Sequence, residues 1–239
     1  MHLIGTHRDR YRSCNLVRSR LHKLLHAIAM PLPQPLKRAL YRNILGWTVA
    51  DDAYVGFSYM GTEHGTLEAG SHVGHFNIIR NIGSLHLGRD AHIKDFNHIF
   101  GCTPVGMEGA RSFRLGDEGH IMSRHFFEVG GAIDIGNRAL IGGRGTQIYT
   151  HSIIAPEGVD RWKVSDMIIG DGAQVFASAI LVHFRVAPGA IVAAGAVLTK
   201  FYEPRGNERL LIAGNPAVVV GSRGPVADTA DTEVVGAAD

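Results

Sequence analysis

The chain has 239 residues, of which 45% are hydrophobic and 19% are charged, and this composition excludes an intrinsically disordered protein and predicts a sizeable core. No apolar run reaches the roughly 18 residues that span a bilayer, and the two cysteines, Cys14 and Cys102, give neither a disulfide framework nor the spacing of a metal site. The net charge is +2 and the first residues lack the features of a secretory signal, so we expect a cytoplasmic protein.

The first 47 residues predict a basic helical segment. Residues 1–45 carry nine lysines and arginines against one acidic residue, Asp9. Leucine and isoleucine recur there at the three- and four-residue steps of a helix face, at Leu16, Leu21, Leu24, Leu25 and Ile28. The prolines at positions 31 and 33 end that helix, and a second short helix is expected over about residues 34–45. The segment could cap the rest of the fold or lie on an anionic membrane surface, and both uses remain open.

From residue 49 onward the hydrophobic period changes to six residues. The positions that carry it are Val49, Val55, Leu67, Val73, Ile79, Leu87, Ile93, Ile99, Leu115, Ile121, Phe127, Ile135, Ile141, Ile169, Val175, Leu181, Val186, Val192 and Leu198. Glycine often follows, as in Val55-Gly56 and Ile169-Gly170. An amphipathic helix repeats every 3.6 residues and a half-buried strand every two, so neither explains a sustained period of six.

A triangular coil explains this period. Each face is a short strand whose aliphatic residue points to the axis, and a small residue suits the tight turn at each corner. Stacked coils of about 18 residues bury a continuous aliphatic column. The sequence therefore predicts a mainly β protein, a parallel β-helix of about seven coils over residues 48–222. Residues 102–113 and 154–167 lack the period and are predicted as protruding loops, and the small, acidic residues 223–239 predict a disordered tail.

The last repeats carry the most specific motifs. Ile169–Ala173 and Val192–Lys200 resemble the closing coils of the hexapeptide-repeat acyltransferases, and Ala213–Ala217 resembles their end signature. The resemblance covers roughly residues 49–220 and is to galactoside, maltose and glycan O-acetyltransferases. It implies a left-handed β-helix that works as a homotrimer. It also implies transfer of an acetyl or other short acyl group from coenzyme A, with acetyl-CoA or another acyl-CoA as co-substrate and no metal, to a hydroxyl or amine of a sugar or glycan-type acceptor.

The same resemblance implies that His151 is the catalytic base. Acyl transfer needs a group that removes the proton of the attacking hydroxyl or amine, and histidine, which titrates near neutrality, is the usual one. His151 follows Thr150 at the end of a coil, just before the predicted loop 154–167, where the family has its catalytic histidine. Residues in the same coil and one coil earlier should lie beside it, since coils stack about 4.8 Å apart. Those expected to contact the acceptor are Arg124, His125, Glu128 and Gln147, and Glu128 could instead orient a histidine or be a solvated corner residue.

The donor site is expected in the last coils. In the family, coenzyme A lies in a groove between neighbouring subunits along the backbone amides of these coils, and small side chains let it approach. A lysine offers a mobile cation for a phosphate group. The residues that the resemblance assigns to the coenzyme are Ala177, Ala194, Gly195, Thr199 and Lys200.

Two other classes of function stay open. His120 and His125, with further histidines upstream, have a spacing similar to that of the zinc site of hexapeptide-repeat carbonic anhydrases. A β-helix can also be a binding protein without catalysis. Acyl transfer is favoured over both because neither explains His151 together with the end signature. The basic first segment shows no motif for nucleic acid, so no such partner is expected.

Overall fold

The computed structural model describes residues 20–102, 111–154, 161–183, 185–202 and 208–224, so the predicted tail lies almost wholly outside the described residues. The elements in chain order are α1 (20–29), α2 (Gln34–Asn43), β1 (Thr48–Val49), β2 (Tyr54–Val55), β3 (Tyr59–Leu67), β4 (His72–Val73), β5 (Ile78–Leu87), β6 (His92–Ile93), β7 (His98–Gly101), β8 (Ser112–Leu115), β9 (His120–Ile121), β10 (Phe126–Val129), β11 (Ile133–Ile135), β12 (Leu140–Ile141), β13 (Gln147–Tyr149), β14 (His151–Ile154), β15 (Arg161–Val164), β16 (Met167–Ile169), β17 (Gln174–Val175), β18 (Ile180–Val182), β19 (Arg185–Val186), β20 (Ile191–Val192), β21 (Val197–Leu198), β22 (Arg209–Gly214) and β23 (Ala217–Arg223).

The strands form the three faces of a parallel β-helix. The first face holds β1, the second halves of β3 and β5, and then β8, β11, β16 and β19. The second face holds β2, β4, β6, β9, β12, β17, β20 and β22. The third face holds the first halves of β3 and β5, and then β7, β10, β13, β18 and β21. The chain passes from the first face to the second and third seven times, which confirms the prediction of about seven coils.

The period of six marks the core. Every residue named above for this period is buried, and the most exposed of them, Val49, is 6% exposed. Because each of these side chains points to the axis from one face, the coils stack them into a continuous apolar column. The period missed part of this core where the chain re-enters the helix after an insertion. Phe113 of β8 and Met167 of β16 are buried, although both fall inside the predicted loops.

The predicted loop 154–167 is therefore wrong in its bounds. The insertion begins at His151, since β14 and β15 pair as an antiparallel hairpin in which His151 lies opposite Val164. A hairpin of this kind has no aliphatic period of six, which is why the pattern was lost. Of the other predicted loop, residues 103–110 lie outside the described part of the chain, and Ser112 and Phe113 belong to β8.

A polar ladder lies inside the corner between the second and third faces. Its five buried members are Ser58, Asn77, Asn97, His125 and Thr146. Each side chain accepts the backbone N–H of the next member, at 2.9, 2.8, 2.9 and 3.1 Å in turn. Buried N–H groups need partners, and the ladder supplies them where the strands are interrupted.

The second helix covers the open edge of the first coil. β2 has no preceding strand, so its backbone groups need other partners. The Nζ of Lys37 donates to the carbonyl oxygens of Val55 and Gly56, both at 2.8 Å. The amide of Gln34 donates to the carbonyl of Val55 at 2.8 Å and accepts its N–H at 3.2 Å. The cap of the β-helix is thus largely made by side chains of α2.

The first helix packs with a different face from the one predicted. His26 and Ala29 are buried, and the ring of His26 lies 5.6 Å from that of Trp47. Burial, and then His22, lower the pKa of His26 to about 4. Of the predicted apolar face, Leu21, Leu24 and Ile28 are 46–56% exposed, Leu25 is half-buried, and Leu16 lies outside the described residues. No helix in the described part of the chain is long and apolar enough to cross a membrane.

Candidate active site

His151 lies at the corner where the chain leaves the third face. Tyr149 is the last residue of β13 and pairs with Glu128 of β10, one coil earlier. Thr150 is buried in the corner, and His151 begins the hairpin that projects from it. The predicted base therefore stands between a rigid coil and a projecting segment, with its side chain 12% exposed.

The carboxylate of Glu128 is the acidic group beside His151. Its Oε1 lies 3.7 Å from the Nε2 of His151, and its side chain is 19% exposed. At this distance the contact is electrostatic, since it exceeds the length of a hydrogen bond. A carboxylate so placed stabilises the imidazolium that forms when a histidine takes a proton. The sequence suggested Glu128 both as an acceptor contact and as a residue that could orient a histidine, and the register between β10 and β13 places it beside His151.

Thr150 holds the two sides of this corner together. Its Oγ1 accepts the N–H of Gly130 at 2.6 Å and that of Gly131 at 3.1 Å, and it donates to the carbonyl oxygen of Glu128 at 3.0 Å. A single hydroxyl thus satisfies three backbone groups of the preceding coil. Because Thr150 adjoins His151 in sequence and bonds the backbone of Glu128, it fixes the backbone on which both side chains stand.

A second histidine holds the two ends of the hairpin. His183 lies one coil after His151, and its backbone N–H donates to the carbonyl oxygen of Tyr149 at 3.1 Å. The Nδ1 of His183 lies 2.6 Å from the hydroxyl of Ser165, and its Nε2 lies 2.7 Å from that of Ser152. Burial, followed by Lys163 and His151, lowers the pKa of His183. The imidazole therefore links the two ends of the hairpin as a neutral group.

A groove runs along the outer surface of the third face and reaches Tyr149, the residue before Thr150 and His151. It has a volume of about 360 Å³, and its side-chain walls come from Arg124, Phe126, Gln147 and Tyr149. The hydroxyl of Tyr149 donates to the Oε1 of Gln147 at 2.7 Å, which leaves the amide nitrogen of Gln147 as a donor for a ligand. Aromatic walls with a few polar groups suit a sugar ring.

The four predicted acceptor residues separate into two groups. Arg124, Gln147 and Glu128 lie on the outer surface of the third face or at its edge, with Arg124 stacked over the ring of Phe96 at 4.8 Å. His125 is instead a member of the buried ladder and is 2% exposed, and burial lowers its pKa to about 4. The structure thus places His125 inside the coil and away from the groove, because its Nδ1 serves the N–H of Thr146.

The predicted donor residues lie at the corner between the second and third faces. In the register of the last three coils, Gly143, Ala177 and Ala194 follow one another, and a Cβ on Gly143 would approach that of Ala177 to 2.6 Å. Gly195 has φ +72°, and its N–H donates to the carbonyl oxygen of Ala177 at 2.9 Å. Small residues thus line this end of the corner.

Beyond that corner, Thr199 and Lys200 are exposed after the last strand of the third face. The ammonium of Lys200 lies 5.2 Å from the ring centre of Tyr202, within the range of a cation–π contact. The two residues lie at the following corner, one short strand after Ala194 and Gly195. The end signature Ala213–Ala217 forms the turn between β22 and β23, next to the last coil.

The first coils have large side chains at the same corner. Phe57, Phe76 and Phe96 stack along it with ring centres 5.8 and 5.1 Å apart, and each is 42–54% exposed. Phe76 and Phe96 have φ of 57° and 61°, a left-handed conformation that is unfavourable for a bulky residue. Together with Ile78, also exposed, they form what we call the aromatic patch (Phe57, Phe76, Ile78 and Phe96).

Sequence reasoning missed Cys102 as a neighbour of His151. Cys102 follows β7, and its N–H donates to the carbonyl oxygen of Val129 at 3.0 Å. Its thiol faces Glu128, and burial followed by this carboxylate raises the pKa of the thiol. The insertion after Cys102 hid its register. Counting back from Thr150 along paired strands could have found it.

The histidines of the zinc alternative do not meet. His120 is exposed on the second face, where its ring lies 5.0 Å from that of His92, while His125 is buried at the next corner. Among the described residues, the one group of three or more potential metal ligands is Cys102, Glu128 and His151. The spacing of the two histidines in sequence thus does not bring them together within one chain.

Comparison with protein-family models gave no match. A search of curated proteins also gave no match. Among solved structures, the chain is similar to a point mutant of AntD, an N-acyltransferase from Bacillus cereus in complex with dTDP and coenzyme A. The two are 15% identical with a TM-score of 0.49, and the match covers 72% of this chain and 84% of that chain. The chain is also similar to the hexapeptide-repeat acetyltransferase VCA0836 from Vibrio cholerae, complexed with acetyl coenzyme A. The two are 17% identical with a TM-score of 0.47, and the match covers 88% of this chain and 90% of that chain. Galactoside acetyltransferase in complex with coenzyme A is 10% identical to this chain with a TM-score of 0.39. The match covers 85% of this chain and 82% of that chain.

Proposed function

We propose that this chain is an acyltransferase that moves an acetyl or other short acyl group from coenzyme A to a hydroxyl or amine of a sugar or glycan-type acceptor. The observation that carries the proposal is the pair His151 and Glu128, 3.7 Å apart, next to Tyr149, which lines the groove on the third face. A histidine beside a carboxylate is the arrangement that general base catalysis uses. The resemblance of the last repeats to those of acyltransferases names the donor.

In this proposal the reaction proceeds by direct attack. The acceptor lies in the groove against Phe126 and Tyr149, and its hydroxyl or amine gives a proton to the Nε2 of His151 while it attacks the thioester carbonyl. Glu128, 3.7 Å away, stabilises the imidazolium. The proton then passes from His151 to the departing thiolate of coenzyme A. The pantetheine lies along Ala177, Ala194 and Gly195, where small residues let it reach backbone amides, and Thr199 and Lys200 contact the distal, phosphate-bearing part of the coenzyme.

We further propose that the active form is a homotrimer, with the aromatic patch between copies. Monomeric proteins rarely expose contiguous apolar surface of this kind, and such patches usually mark interfaces. The patch adjoins Arg124 and hence the groove, so a neighbouring copy seated on it would wall the groove on its open side. Cyclic symmetry would then produce three equivalent sites.

The exposed side of α1 supports a peripheral contact with the inner membrane surface, for which we propose Leu21, Leu24 and Ile28 as the inserted residues. The cap of the first coil uses other groups, His26 on α1 and Lys37 on α2, so the two uses do not compete for one surface. Arg20 and Lys23 are exposed on the same helix and would contact anionic headgroups. A cytoplasmic enzyme so bound could reach a glycan acceptor assembled at the membrane.

The test of the reaction is release of free coenzyme A, measured through its thiol. Purified protein is incubated with acetyl-CoA and longer acyl-CoA species against sugars, nucleotide sugars and amino acids. We expect release with a carbohydrate, and a fall in turnover of about 10²-fold or more in His151→Ala with unchanged melting temperature. Glu128→Gln should lose about tenfold, whereas Glu118→Gln, an exposed acid of the same coil, should lose nothing. Near-normal turnover in His151→Ala refutes the assignment of the base.

A further inference from the structure

Three ligand-forming side chains converge at the corner of His151. Cys102 follows β7, Glu128 is in β10 and His151 begins β14, so they come from three successive coils. The thiol sulfur, a carboxylate oxygen and an imidazole nitrogen all lie within 4.8 Å of one another. The Oε1 of Glu128 and the Nε2 of His151 lie 3.7 Å apart. All three side chains are only partly buried, so the cluster is accessible to solvent.

These separations suit a tetrahedral divalent cation. Zinc binds sulfur at about 2.3 Å and nitrogen or oxygen at about 2.0–2.2 Å, so ligand atoms around it lie roughly 3.3–3.8 Å apart. The imidazole and carboxylate already meet this spacing. No separation in the cluster exceeds this range by more than about 1 Å, a difference that side-chain rotation can close. Thiolate, imidazole and carboxylate are all ligands that zinc accepts.

The backbone keeps this space open. Gly130 lies between Cys102 and His151 in the stack, and a Cβ on it would stand 3.4 Å from the Cβ of His151 and 3.6 Å from the carbonyl oxygen of Cys102. Its φ is not in the left-handed region, so the backbone conformation does not require glycine there. The missing side chain leaves Cys102 and His151 facing one another across one coil. Thr150, which binds the N–H of Gly130, holds that spacing.

We propose that Cys102, Glu128 and His151 form a binding site for a zinc-type divalent cation that inhibits the enzyme. Three protein ligands leave a fourth position open toward the groove. A bound cation takes the lone pair of the Nε2 of His151, the atom that receives the acceptor's proton in the proposed function, on which this consequence rests. It also neutralises Glu128. Metal occupancy therefore removes the base without changing the fold.

Binding is measured on the full chain after treatment with a chelator, by zinc titration in competition with a chromophoric chelator. We expect one tight equivalent per chain, and a loss of affinity of at least about tenfold in Cys102→Ser and in Glu128→Gln. The matched controls are His120→Ala, in the stacked histidines of the second face, and Cys14→Ser, the other cysteine. Both should leave this equivalent unchanged.

Cobalt(II) provides a direct view of the thiolate. The cobalt-loaded chain should show a sulfur-to-cobalt charge-transfer absorption in the near ultraviolet, and Cys102→Ser should abolish it while Cys14→Ser retains it. An absorption that survives in Cys102→Ser overturns the site. Zinc that is lost with His120→Ala, or binding equal in Cys102→Ser and the wild type, overturns it as well.

The inhibitory consequence is measured as the ratio of turnover with zinc to turnover without it, within each variant. We expect a fall of about tenfold or more in the wild type and in His120→Ala, and a ratio near one in Cys102→Ser. A zinc-insensitive wild type that binds one equivalent at Cys102 overturns the inhibition. A chain that binds zinc at Cys102 but transfers no acyl group supports the site and refutes the proposed function, so the two failures are distinguishable.

Discussion

The hydroxyl of Thr150 accepts the N–H of Gly130 at 2.6 Å across two successive coils of the β-helix. The same hydroxyl donates to the carbonyl oxygen of Glu128, the residue whose carboxylate faces His151. Two side chains that belong to different coils are therefore held in register by one threonine. Catalytic geometry depends on such supporting contacts as much as on the reacting groups.

Thr150→Val should lower kcat by about tenfold with little change in KM, because it removes the hydroxyl but keeps the shape of the side chain. Thr150→Ser, which keeps the hydroxyl, should restore most of the rate. Steady-state kinetics of both variants, with melting temperature as the control, provide the measurement. A Thr150→Val enzyme with a lower melting temperature but an unchanged kcat would show that the hydrogen bonds of Thr150 have only a structural role.

A large side chain at position 194 should obstruct the donor. Ala194 is exposed, so Ala194→Leu leaves the core intact but fills the corner along which the coenzyme is proposed to lie. We expect the KM for acyl-CoA to rise by about tenfold or more while the KM for the acceptor holds. Ala69→Leu, at an exposed position of the second coil, is the control for a bulky residue on the surface. Equal KM values in the two variants would contradict the donor assignment.

Acid should destabilise the fold through its buried histidines. The pKa of His125 and that of His26 are each lowered by burial to about 4, below the ordinary value of 6.5. The unfolded chain therefore binds more protons than the folded one between about pH 6.5 and 4, and stability falls as the pH falls through that window. Each histidine contributes up to about 1.4 kcal/mol per pH unit.

His125→Asn should remove its share of this loss. Asparagine already occupies the ladder at positions 77 and 97, where its Oδ1 accepts the next N–H, so it can replace the Nδ1 of His125 without a titrating group. Chemical denaturation at pH 7 and pH 5 measures the difference. His125→Leu, which lacks an acceptor, should be less stable at both values. A wild-type-like pH dependence in His125→Asn would contradict the assignment.

Replacing the aromatic patch should dissociate the trimer. Asparagine tolerates the left-handed conformation of Phe76 and Phe96, so the double variant Phe76→Asn/Phe96→Asn removes apolar surface without backbone strain. We expect the wild type to sediment as three chains and the variant as one. Val220→Ser, an exposed strand residue at the other end of the β-helix, should remain trimeric. A monomeric wild type would refute the proposed trimer. A double variant that stays trimeric would show that the interface does not lie on the aromatic patch.

Removal of the apolar side of α1 should abolish membrane binding. Flotation with anionic vesicles at low salt should carry the wild type upward, and the triple variant Leu21→Ser/Leu24→Ser/Ile28→Ser should stay below. Leu36→Ser, an equally exposed leucine on α2, is the control. Because His26 and Ala29 are untouched, the cap and the solubility of the variant should be preserved. A wild type that ignores anionic vesicles would contradict the proposal.

The fold was predictable because a single short period fixes both which residues are buried and where the corners fall. Val55, Ile121 and Leu198 are separated by many coils, yet each was identified as a core residue by counting sixes. The count failed at insertions, where Phe113 and Met167 re-enter the core out of phase. It also failed on α1, because a helix period shows which residues share a face but not which face packs.

The site was predictable only in part for the same reason. The motifs around His151 predicted its role as the base, and the coil spacing predicted that Gln147 and Arg124 contact the acceptor; both roles stay predictions, and the structure gives only their positions. His125 was misjudged because a histidine that follows a corner can point inward, and only the register of the ladder decides this. Cys102 was missed because its neighbours in the stack, Gly130 and His151, are 28 and 49 residues away, so nothing local marks them.

Both insertions leave the β-helix from one corner, after Cys102 and at His151, two coils apart, and the chain then resumes the first face with Arg111–Leu115 and Met167. Between them, the strands β10 and β13 pair with one another through Phe126–Glu128 and Gln147–Tyr149. We expect the lengths of these two segments to vary without a change at the small-residue corner of Ala177 and Ala194, where the coenzyme is proposed to lie. Under the proposed function, exchanging the two insertions between chains of this fold should change which acceptor is used while the acyl donor stays the same.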